Sequence, residues 1–344
     1  SAGIKLATGE VTGVGSTWQT VTLPESYASM VVVAAPNYED TDDPAVVRVR
    51  NATGNSFELK VQNPSNAGLS GYRVHYMVVE EGVYTEAEHG VKMEAVKYGS
   101  SVTDGSGSWV GEARGYANSY SSPVVLGQVM TANDVDWSVF WARGSTAGDV
   151  PSSGVLYAGK HVGQDPDETR MVEMVGYIVM EVGEGSIEGR GYEAALGADS
   201  VKGIEESPPY VYALSGQVAA GVGVVSAAGM DGGDGGWPVL YGATPVEATS
   251  LDLAYDEDQT VDTERAHTKE PVAYVVFEEG PAGPTATPTS IATATPTSSP
   301  TATPTSGPTA TPTGIPTSTP TSTPTSTPIP GAGPKVAAGM VTGV

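Results

Sequence analysis

One strand-like segment occurs three times in this chain, and its spacing constrains the fold more than any other feature. The copies lie at residues 74–82, 175–183 and 272–280. In each copy a Glu follows the Tyr by four positions and a Gly follows it by six. The three tyrosines are about 100 positions apart. Because about 100 residues is the size of a small β-sandwich, the spacing predicts three related sandwich units.

A second pattern supports the same period in the later units. Three residues recur 100 positions further on: Met130, Asp134 and Trp137 are matched by Met230, Asp234 and Trp237. We therefore expect sandwich units over residues 1–84, 85–185 and 186–280, called repeats 1, 2 and 3 below. Each unit should be antiparallel, with the Tyr segment as its last strand.

The composition between the Tyr segments favours strands over helices. Short apolar runs rich in Val and Tyr alternate with clusters of Gly, Asn and Asp, and no window has the period of a long amphipathic helix. On the first Tyr segment the set His75, Met77 and Val79 is more apolar than its alternate, so we expect that set to face the core. The predicted class is all-β: three consecutive antiparallel β-sandwich units, followed by an extended stalk.

The stalk is predicted from residues 281–332. This segment has no charged and no aromatic residue, so it cannot build a core. From Pro296 to Pro328 a proline stands at every fourth position, which biases the backbone toward polyproline II. Thr- and Pro-rich sequence is also typical of O-glycosylated stalks, although an unmodified flexible linker has the same composition. The candidate O-linked sites are Thr285, Thr287, Thr295, Thr301, Thr303, Thr309, Thr311, Thr317, Thr319, Thr321, Thr323, Thr325 and Thr327.

After the stalk, the sequence of the first strand returns. Residues 333–344 are identical to residues 3–14 at eight of twelve positions. Two interpretations are open: a tandem array with a period of 330 residues, which we favour, or a terminal strand that pairs with a neighbouring molecule. Either one predicts a fibre of copies of this chain. The residues expected to form the joining strand are Lys335, Val336, Val341 and Val344.

The charge and the composition of the chain exclude several classes of partner and site. Sixteen Lys and Arg stand against 40 Asp and Glu, a formal net charge of −24, which would repel nucleic acid. No stretch is long and apolar enough to span a bilayer, and the absence of Cys excludes disulfides and thiolate metal sites. The start at Ser1 fits a mature secreted protein or a fragment of a longer one.

Acidic loops suggest one cofactor, Ca²⁺, because hard oxygen ligands suit that ion. The candidate ligands are Asp134, Asp136, Asp231 and Asp234. None of these loops has the twelve-residue spacing of an EF-hand, and Asp and Gly also make such turns without any metal. No other cofactor is predicted.

Two further kinds of site are indicated by residue type. Trp18, Trp137 and Trp237 could stack on sugars, although large aromatic residues more often belong to the core. Asn51 begins an Asn-Ala-Thr sequon in a predicted turn, which makes it a candidate for N-linked glycosylation. Catalytic signatures such as H-E-x-x-H, G-x-S-x-G and the P-loop are absent, and the four His are scattered, so we expect no enzyme activity.

Two segments carry a family resemblance. They are Gly9 to Thr12 with Trp18 and Val21 in repeat 1, and the run from Arg265 to Glu278 in repeat 3. Over residues 1–280 the units loosely resemble the H-type-lectin-like modules of bacterial surface and secreted proteins. This resemblance implies a six-stranded antiparallel sandwich and, in some members, binding of N-acetylgalactosamine. The sugar-binding residues of the family have no residue-by-residue match in this sequence.

Together these patterns predict a secreted, extracellular structural protein. It would be one period of a fibre or filament of a cell surface or biofilm matrix, with sandwich units joined by a glycosylated stalk. The alternative is a carbohydrate-binding adhesin that presents lectin-like modules on the same stalk. In either case its partners would be copies of itself, with glycans as a further candidate.

Overall fold

Nineteen strands make up nearly all of the regular structure in the residues that the computed structural model describes, which are 3–40, 42–216, 218 and 221–279. A single short helix and one 3-10 turn accompany them. The predicted all-β class is therefore confirmed. The stalk at 281–332 and the repeated segment at 333–344 lie outside the described residues.

The elements follow the chain in three groups. Repeat 1 contains β1 (Leu6–Val14), β2 (Gln19–Tyr27), β3 (Met30–Tyr38), β4 (Val46–Gln62), β5 (Tyr72–Glu80) and β6 (Gly82–Tyr84). Repeat 2 contains α1 (Glu86–His89), β7 (Met93–Ser100), β8 (Glu112–Arg114), β9 (Pro123–Val129), β10 (Val139–Arg143), β11 (Leu156–His161) and β12 (Glu173–Glu181). The remaining strands are β13 (Gly183–Ile187), β14 (Arg190–Leu196), β15 (Tyr210–Ala213), β16 (Gly221–Ala227), β17 (Trp237–Tyr241), β18 (Ser250–Asp256) and β19 (Val272–Glu278), with the 3-10 turn at Ile204–Glu206.

The three Tyr segments occupy equivalent places in the fold. Strand β5 lies between β1 and β3, β12 between β7 and β9, and β19 between β14 and β16, and every one of these pairs is antiparallel. The Tyr segment is the last of these strands in sequence but the central one in space. Each repeat is therefore built around this strand.

His75, Met77 and Val79 are buried, as expected, but the other face of this Tyr segment is covered as well. On β5 both the set with His75 and the set with Tyr76 are buried. The Tyr76 ring packs edge-on against Phe57 within repeat 1, with 5.4 Å between the centroids. On the opposite face, His75 Nδ1 accepts a hydrogen bond of 3.2 Å from the Gly223 backbone N–H in repeat 3. Strands covered on both faces are apolar throughout, which is why these segments contain long runs of Val.

The repeats are joined to one another by strand pairing. Strand β3 of repeat 1 pairs in parallel with β17 of repeat 3, and β16 of repeat 3 pairs in parallel with β10 of repeat 2. At the third junction, the Gln128 side-chain amide on β9 donates a hydrogen bond of 3.0 Å to the Val47 carbonyl oxygen on β4. Each repeat thus contacts the other two, and the described residues from 3 to 279 belong to one compact unit. The exact boundaries of the repeats stay a prediction.

Close packing at these junctions depends on glycine and tryptophan. A side chain at Gly127 would collide with the Phe140 ring, while its backbone N–H donates to Ser226 Oγ across the repeat 2 and repeat 3 junction. Trp137 and Trp237 are buried at the same junction, with their ring centroids 5.6 Å apart at 61°. The equivalent tryptophans of the sequence pattern therefore pack on each other.

Candidate functional site

The end of β18 and the loop that follows it carry three buried acidic residues in a row. Asp256 is the last residue of the strand, and Glu257 and Asp258 begin the loop. Asp256 accepts hydrogen bonds from the Arg265 guanidinium at 2.7 Å and from the Tyr38 hydroxyl of repeat 1, also at 2.7 Å. The Arg265 guanidinium thus balances the buried charge of Asp256, and the Tyr38 hydroxyl links this segment to repeat 1.

The same loop also reaches repeat 2. Asp258 Oδ2 accepts a hydrogen bond of 2.7 Å from the Gln164 backbone N–H. Because Asp256 binds repeat 1 and Asp258 binds repeat 2, all three repeats contribute to the surroundings of this loop. The site therefore depends on the association of the repeats.

A buried histidine lies between two carboxylates in this region. His267 Nδ1 is in hydrogen-bond contact with Glu257, and its Nε2 lies 3.0 Å from Glu270 Oε1. The Tyr255 ring stacks on the imidazole at 4.6 Å and 14°. Glu270 Oε1 also accepts hydrogen bonds from the backbone N–H groups of Asp231 and Gly232, each 2.8 Å long. The arrangement holds the imidazole in one orientation and favours its charged form.

The electrostatics follow from burial and from these partners. Burial alone would lower the pKa of His267, but the hydrogen bonds to Glu257 and Glu270 and their charges outweigh it and raise this pKa to about 9. Burial raises the pKa of Glu257 to about 7. The contact with His267 lowers this pKa but only partly offsets burial, and the Glu264 and Asp234 carboxylates raise the pKa further. Near neutral pH the site therefore holds a cationic histidine beside a carboxyl that can take up a proton.

Three carboxylates converge at the edge of this network. Oxygen atoms of Asp234, Glu257 and Glu264 lie within 4.8 Å of one another, and this is the one such group of three found in the described part of the chain. The register explains it: β17 and β18 are antiparallel with Trp237 opposite Asp256, so the residues just before β17 and just after β18 meet. Such oxygens are the ligands that Ca²⁺ takes, although exposed acidic groups also cluster in proteins without a metal.

The four predicted metal ligands are not brought together. Asp134 Oδ1 accepts the Asp136 backbone N–H at 3.0 Å, and its Oδ2 accepts the Met171 backbone N–H at 2.8 Å, so it shapes a turn. Asp231 lines an open cleft between repeats 2 and 3 together with Asp149 and Asp199. Burial and the neighbouring carboxylates raise the pKa of Asp231. Of the four, Asp234 is the residue that lies in a cluster with metal-ligand geometry.

The tryptophan candidates differ in access. Trp137 and Trp237 are 1% and 2% exposed, so neither ring offers a face on which a sugar could stack. Trp18 is half-buried, and the Arg50 guanidinium lies over its ring at 4.2 Å, with the Lys60 ammonium at 5.2 Å. Trp18 is thus the most accessible of the three tryptophans, and the Arg50 and Lys60 side chains cover part of its ring.

The modification sites lie partly outside the structure. Asn51 is exposed on β4 with a φ of 51°, and its side-chain amide donates to Glu58 Oε2 at 2.5 Å. The sequon thus lies within a strand and not in the predicted turn, and N-linked glycosylation of the exposed Asn51 stays a prediction. The threonines from Thr285 to Thr327 and the strand residues Lys335, Val336, Val341 and Val344 lie outside the described residues.

Sequence reasoning missed the main members of the buried network. His267 was one of four scattered histidines, and Glu264 belonged to no acidic run. No local spacing links these residues to Asp234. The β17 and β18 pairing brings Asp234 near Glu257, and Glu264 and His267 lie in the segment beyond β18. The acidic triplet at 256–258 was the one available signal.

The longest helix in the described part of the chain has four residues, so no helix there can reach across a bilayer. Comparison of the chain with protein-family models, with curated proteins and with solved structures found no match. The resemblance to H-type-lectin-like modules is therefore still an expectation from sequence.

Proposed function

We propose that this chain is a secreted, extracellular structural protein and one period of a tandem-repeat fibre of a cell surface or biofilm matrix. The observation that carries the proposal is that residues 333–344 keep the side chains on which strand β1 depends. The structure of β1 supplies the reasons for each retained position.

Two glycines in β1 have steric roles. A Cβ at Gly9 would lie 2.6 Å from the Tyr76 hydroxyl, too close for any side chain. Gly13 has a φ of 66°, which disfavours residues with a Cβ. The returning segment has glycine at both positions, Gly339 and Gly343.

The buried and anchoring residues of β1 are also retained. Ala7, Val11 and Val14 are buried, and the returning segment has the same residue types there, namely Ala337, Val341 and Val344. Lys5 donates a hydrogen bond of 2.6 Å to the Ser26 carbonyl oxygen, and its counterpart is Lys335. The identities between the two segments thus coincide with structural requirements of one strand.

The four differences fall at positions that make contacts in the structure. Leu6 is half-buried and becomes Val336. Ile4 is buried and its backbone N–H donates a hydrogen bond of 2.8 Å to Glu188 Oε1, which Pro334 could not do. Thr8, which contacts Arg190, becomes Ala338. Glu10, 3.2 Å from His75 Nε2, becomes Met340. Three of the four changes thus remove a polar contact, while the residue types of the buried Ala7, Val11 and Val14 are kept.

A tandem array explains this pattern better than strand exchange between molecules. In the structure the place of β1 beside β5 is filled by residues 6–14 of the same chain, with pairing from Leu6 and Val79 onward. A donated strand would have to displace this buried strand. A following copy of the fold, by contrast, needs such a strand of its own.

The first test asks whether the returning sequence can serve as β1. A variant with Ile4→Pro, Leu6→Val, Thr8→Ala and Glu10→Met has residues 3–14 converted to the returning sequence. It should keep its far-UV circular dichroism and one cooperative transition, with unfolding free energy reduced by about 2–4 kcal/mol for lost burial and hydrogen bonds. Adding Gly9→Val should abolish folding. A fourfold variant that fails to fold would show that the segment cannot replace β1.

The second test concerns the assembly and the stalk. Electron microscopy of the native material should show threads with a regular bead period, and compact monodisperse particles would contradict the proposal. Mass spectrometry of peptides from 281–332 should find hexose or hexosamine on threonine. Unmodified peptides would remove the glycosylated stalk from the proposal and leave a plain linker.

Non-enzymatic function is part of the same proposal. The carbohydrate-binding alternative receives less support, because Trp137 and Trp237 are buried and Trp18 is partly covered by Arg50. A glycan array on the full chain, with Trp18→Ala as the variant, would distinguish an adhesin from an inert fibre.

A further inference from the structure

Repeat 2 exposes a group of apolar side chains on two neighbouring segments. The exposed fractions are 82% for Val135, 58% for Met171, 56% for Val172 and 37% for Met174. We call these four residues the repeat 2 apolar surface. Exposed apolar groups that lie together mark interaction sites more often than singly scattered ones do.

Hydrogen bonds hold the two segments side by side. The Met171 backbone N–H donates to Asp134 Oδ2 at 2.8 Å, and the Asn133 side-chain amide donates to the Val172 carbonyl oxygen at 2.7 Å. Further along, the Met174 backbone N–H donates to Thr131 Oγ1 at 2.8 Å. The two segments that carry the apolar side chains are therefore neighbours in space.

Two side chains of repeat 1 hold the loop that carries Val135 by hydrogen bonds to its backbone. The buried Arg48 guanidinium donates to the Asp134 and Asp136 carbonyl oxygens at 3.0 and 2.7 Å. The Gln62 side-chain amide donates to the Val135 carbonyl oxygen at 3.1 Å. The carbonyl oxygens of residues 134–136 are thus held by repeat 1, while the Val135 side chain stays in water. A surface ordered in advance loses less conformational entropy on binding.

The other repeats do not have this surface. At the positions equivalent to Met171 and Val172, repeat 3 has Thr268 and Lys269, and repeat 1 has Ser70 and Gly71. The position equivalent to Val135 in repeat 3 is Gly235. The apolar residue types at these positions are therefore particular to repeat 2.

The charges beside the surface are negative. Asp134 and Asp136 flank Val135 and are both partly exposed. Partial burial by itself would raise the pKa of Asp134. Hydrogen bonds from the Met171 and Asp136 backbone N–H groups oppose this effect, as do the nearby charges of Arg170 and Arg48. The pKa is lowered overall, so the carboxylate is ionised. Both arginines are buried, so neither can make a direct ion pair with a partner, whereas the two aspartates are within reach of one. A fitting partner therefore combines apolar with basic side chains.

We propose that the repeat 2 apolar surface docks a peptide segment of another protein that carries both apolar and basic side chains. Met171 and Met174 supply adaptable contacts, since the thioether side chain can fill irregular gaps. A second copy of this chain is disfavoured as the occupant, because each copy has a net charge of −24 and would place carboxylates against carboxylates. The proposal is independent of the fibre proposed above.

The test uses the full chain and a fluorescein-labelled octapeptide of alternating Lys and Leu, with binding followed by fluorescence anisotropy. The variant Val135→Gly, Met171→Thr, Val172→Lys introduces the residue types that repeat 3 has at the equivalent positions. It should bind the peptide about tenfold more weakly or worse. Val211→Ser, which changes a 56% exposed Val of repeat 3, should bind as the parent does.

Because Val172→Lys adds a positive charge, Met171→Thr with Val135→Gly is measured as well and should weaken binding in the same direction. A Lys and Ser octapeptide of the same charge, and a Glu and Leu octapeptide of the opposite charge, should both bind much more weakly. Circular dichroism and thermal unfolding check that each variant is folded.

Three outcomes would overturn the proposal. The first is no measurable binding of the Lys and Leu peptide. The second is equal binding of the Lys and Ser peptide or of the variants, which would mean general attraction to an acidic protein. The third is a dimer, found by sedimentation, that the variant abolishes, which would make a second copy the occupant.

Discussion

The packing of Trp137 on Trp237 makes the association of repeats 2 and 3 measurable. Both side chains are almost fully buried, at 1% and 2% exposure, and their rings meet edge to face at 5.6 Å. Replacing a buried Trp with Ala costs about 3–5 kcal/mol. Each single variant should therefore lose about that much unfolding free energy, a large part of the stability of an ordinary domain.

The two substitutions should not be additive. An aromatic pair in this geometry contributes about 1 kcal/mol beyond the area it buries, and the two cavities would merge. The double variant should consequently be more stable than the sum predicts by about 1–2 kcal/mol. Trp137→Phe and Trp237→Phe serve as milder variants if the double Ala variant is unfolded.

The assay is equilibrium urea unfolding followed by far-UV circular dichroism, because the substitutions change the tryptophan fluorescence itself. Association of the repeats in one compact unit predicts a single transition that moves as a whole in every variant. Strictly additive losses would refute the contact between the rings. A second transition that stays unchanged in the Trp237 variant would refute the cooperative unit.

Three other predictions concern the buried network. Since the pKa of His267 is raised from 6.5 to about 9, the stability from its charge is complete below pH 6.5 and is lost as pH rises toward 9. The urea midpoint of the parent protein should therefore fall between pH 6 and 10, and that of His267→Gln should fall less steeply over the same range. Tyr38→Phe removes the hydroxyl that donates to the buried Asp256 and should lower the unfolding free energy by about 1–3 kcal/mol, seen in thermal unfolding. Glu264→Gln removes a charge that raises the pKa of Glu257. The titration of the Glu257 carboxyl, followed by NMR, should therefore move from about 7 toward lower pH. An unchanged titration would contradict the proximity of Glu264 to Glu257.

The sequence predicted the parts of this fold that depend on local pattern. The recurrence of Tyr76, Tyr177 and Tyr274 located the central strand of each repeat, and the apolar runs gave the all-β class. It did not predict that both faces of these strands are buried. A run of Val is equally compatible with one covered face or two, and the second cover comes from another repeat.

The candidate site shows the same division. Asp234 was predicted from a short acidic loop, whereas Glu257, Glu264 and His267 join it through the β17 and β18 pairing and the loop beyond. The predicted ligands Asp134 and Asp136 serve a turn instead, since Asp side chains readily bond the backbone two residues on.

The sequence by itself determined the period, the strand class and the return of the β1 sequence after the stalk, because each of these is written in the order of neighbouring residues. Only the tertiary structure decided which strands join the repeats, as when β3 pairs with β17 about 200 residues away. It also decided which charges are buried together. Such long-range contacts depend on how completely two surfaces fit, a property that no local pattern in the chain encodes.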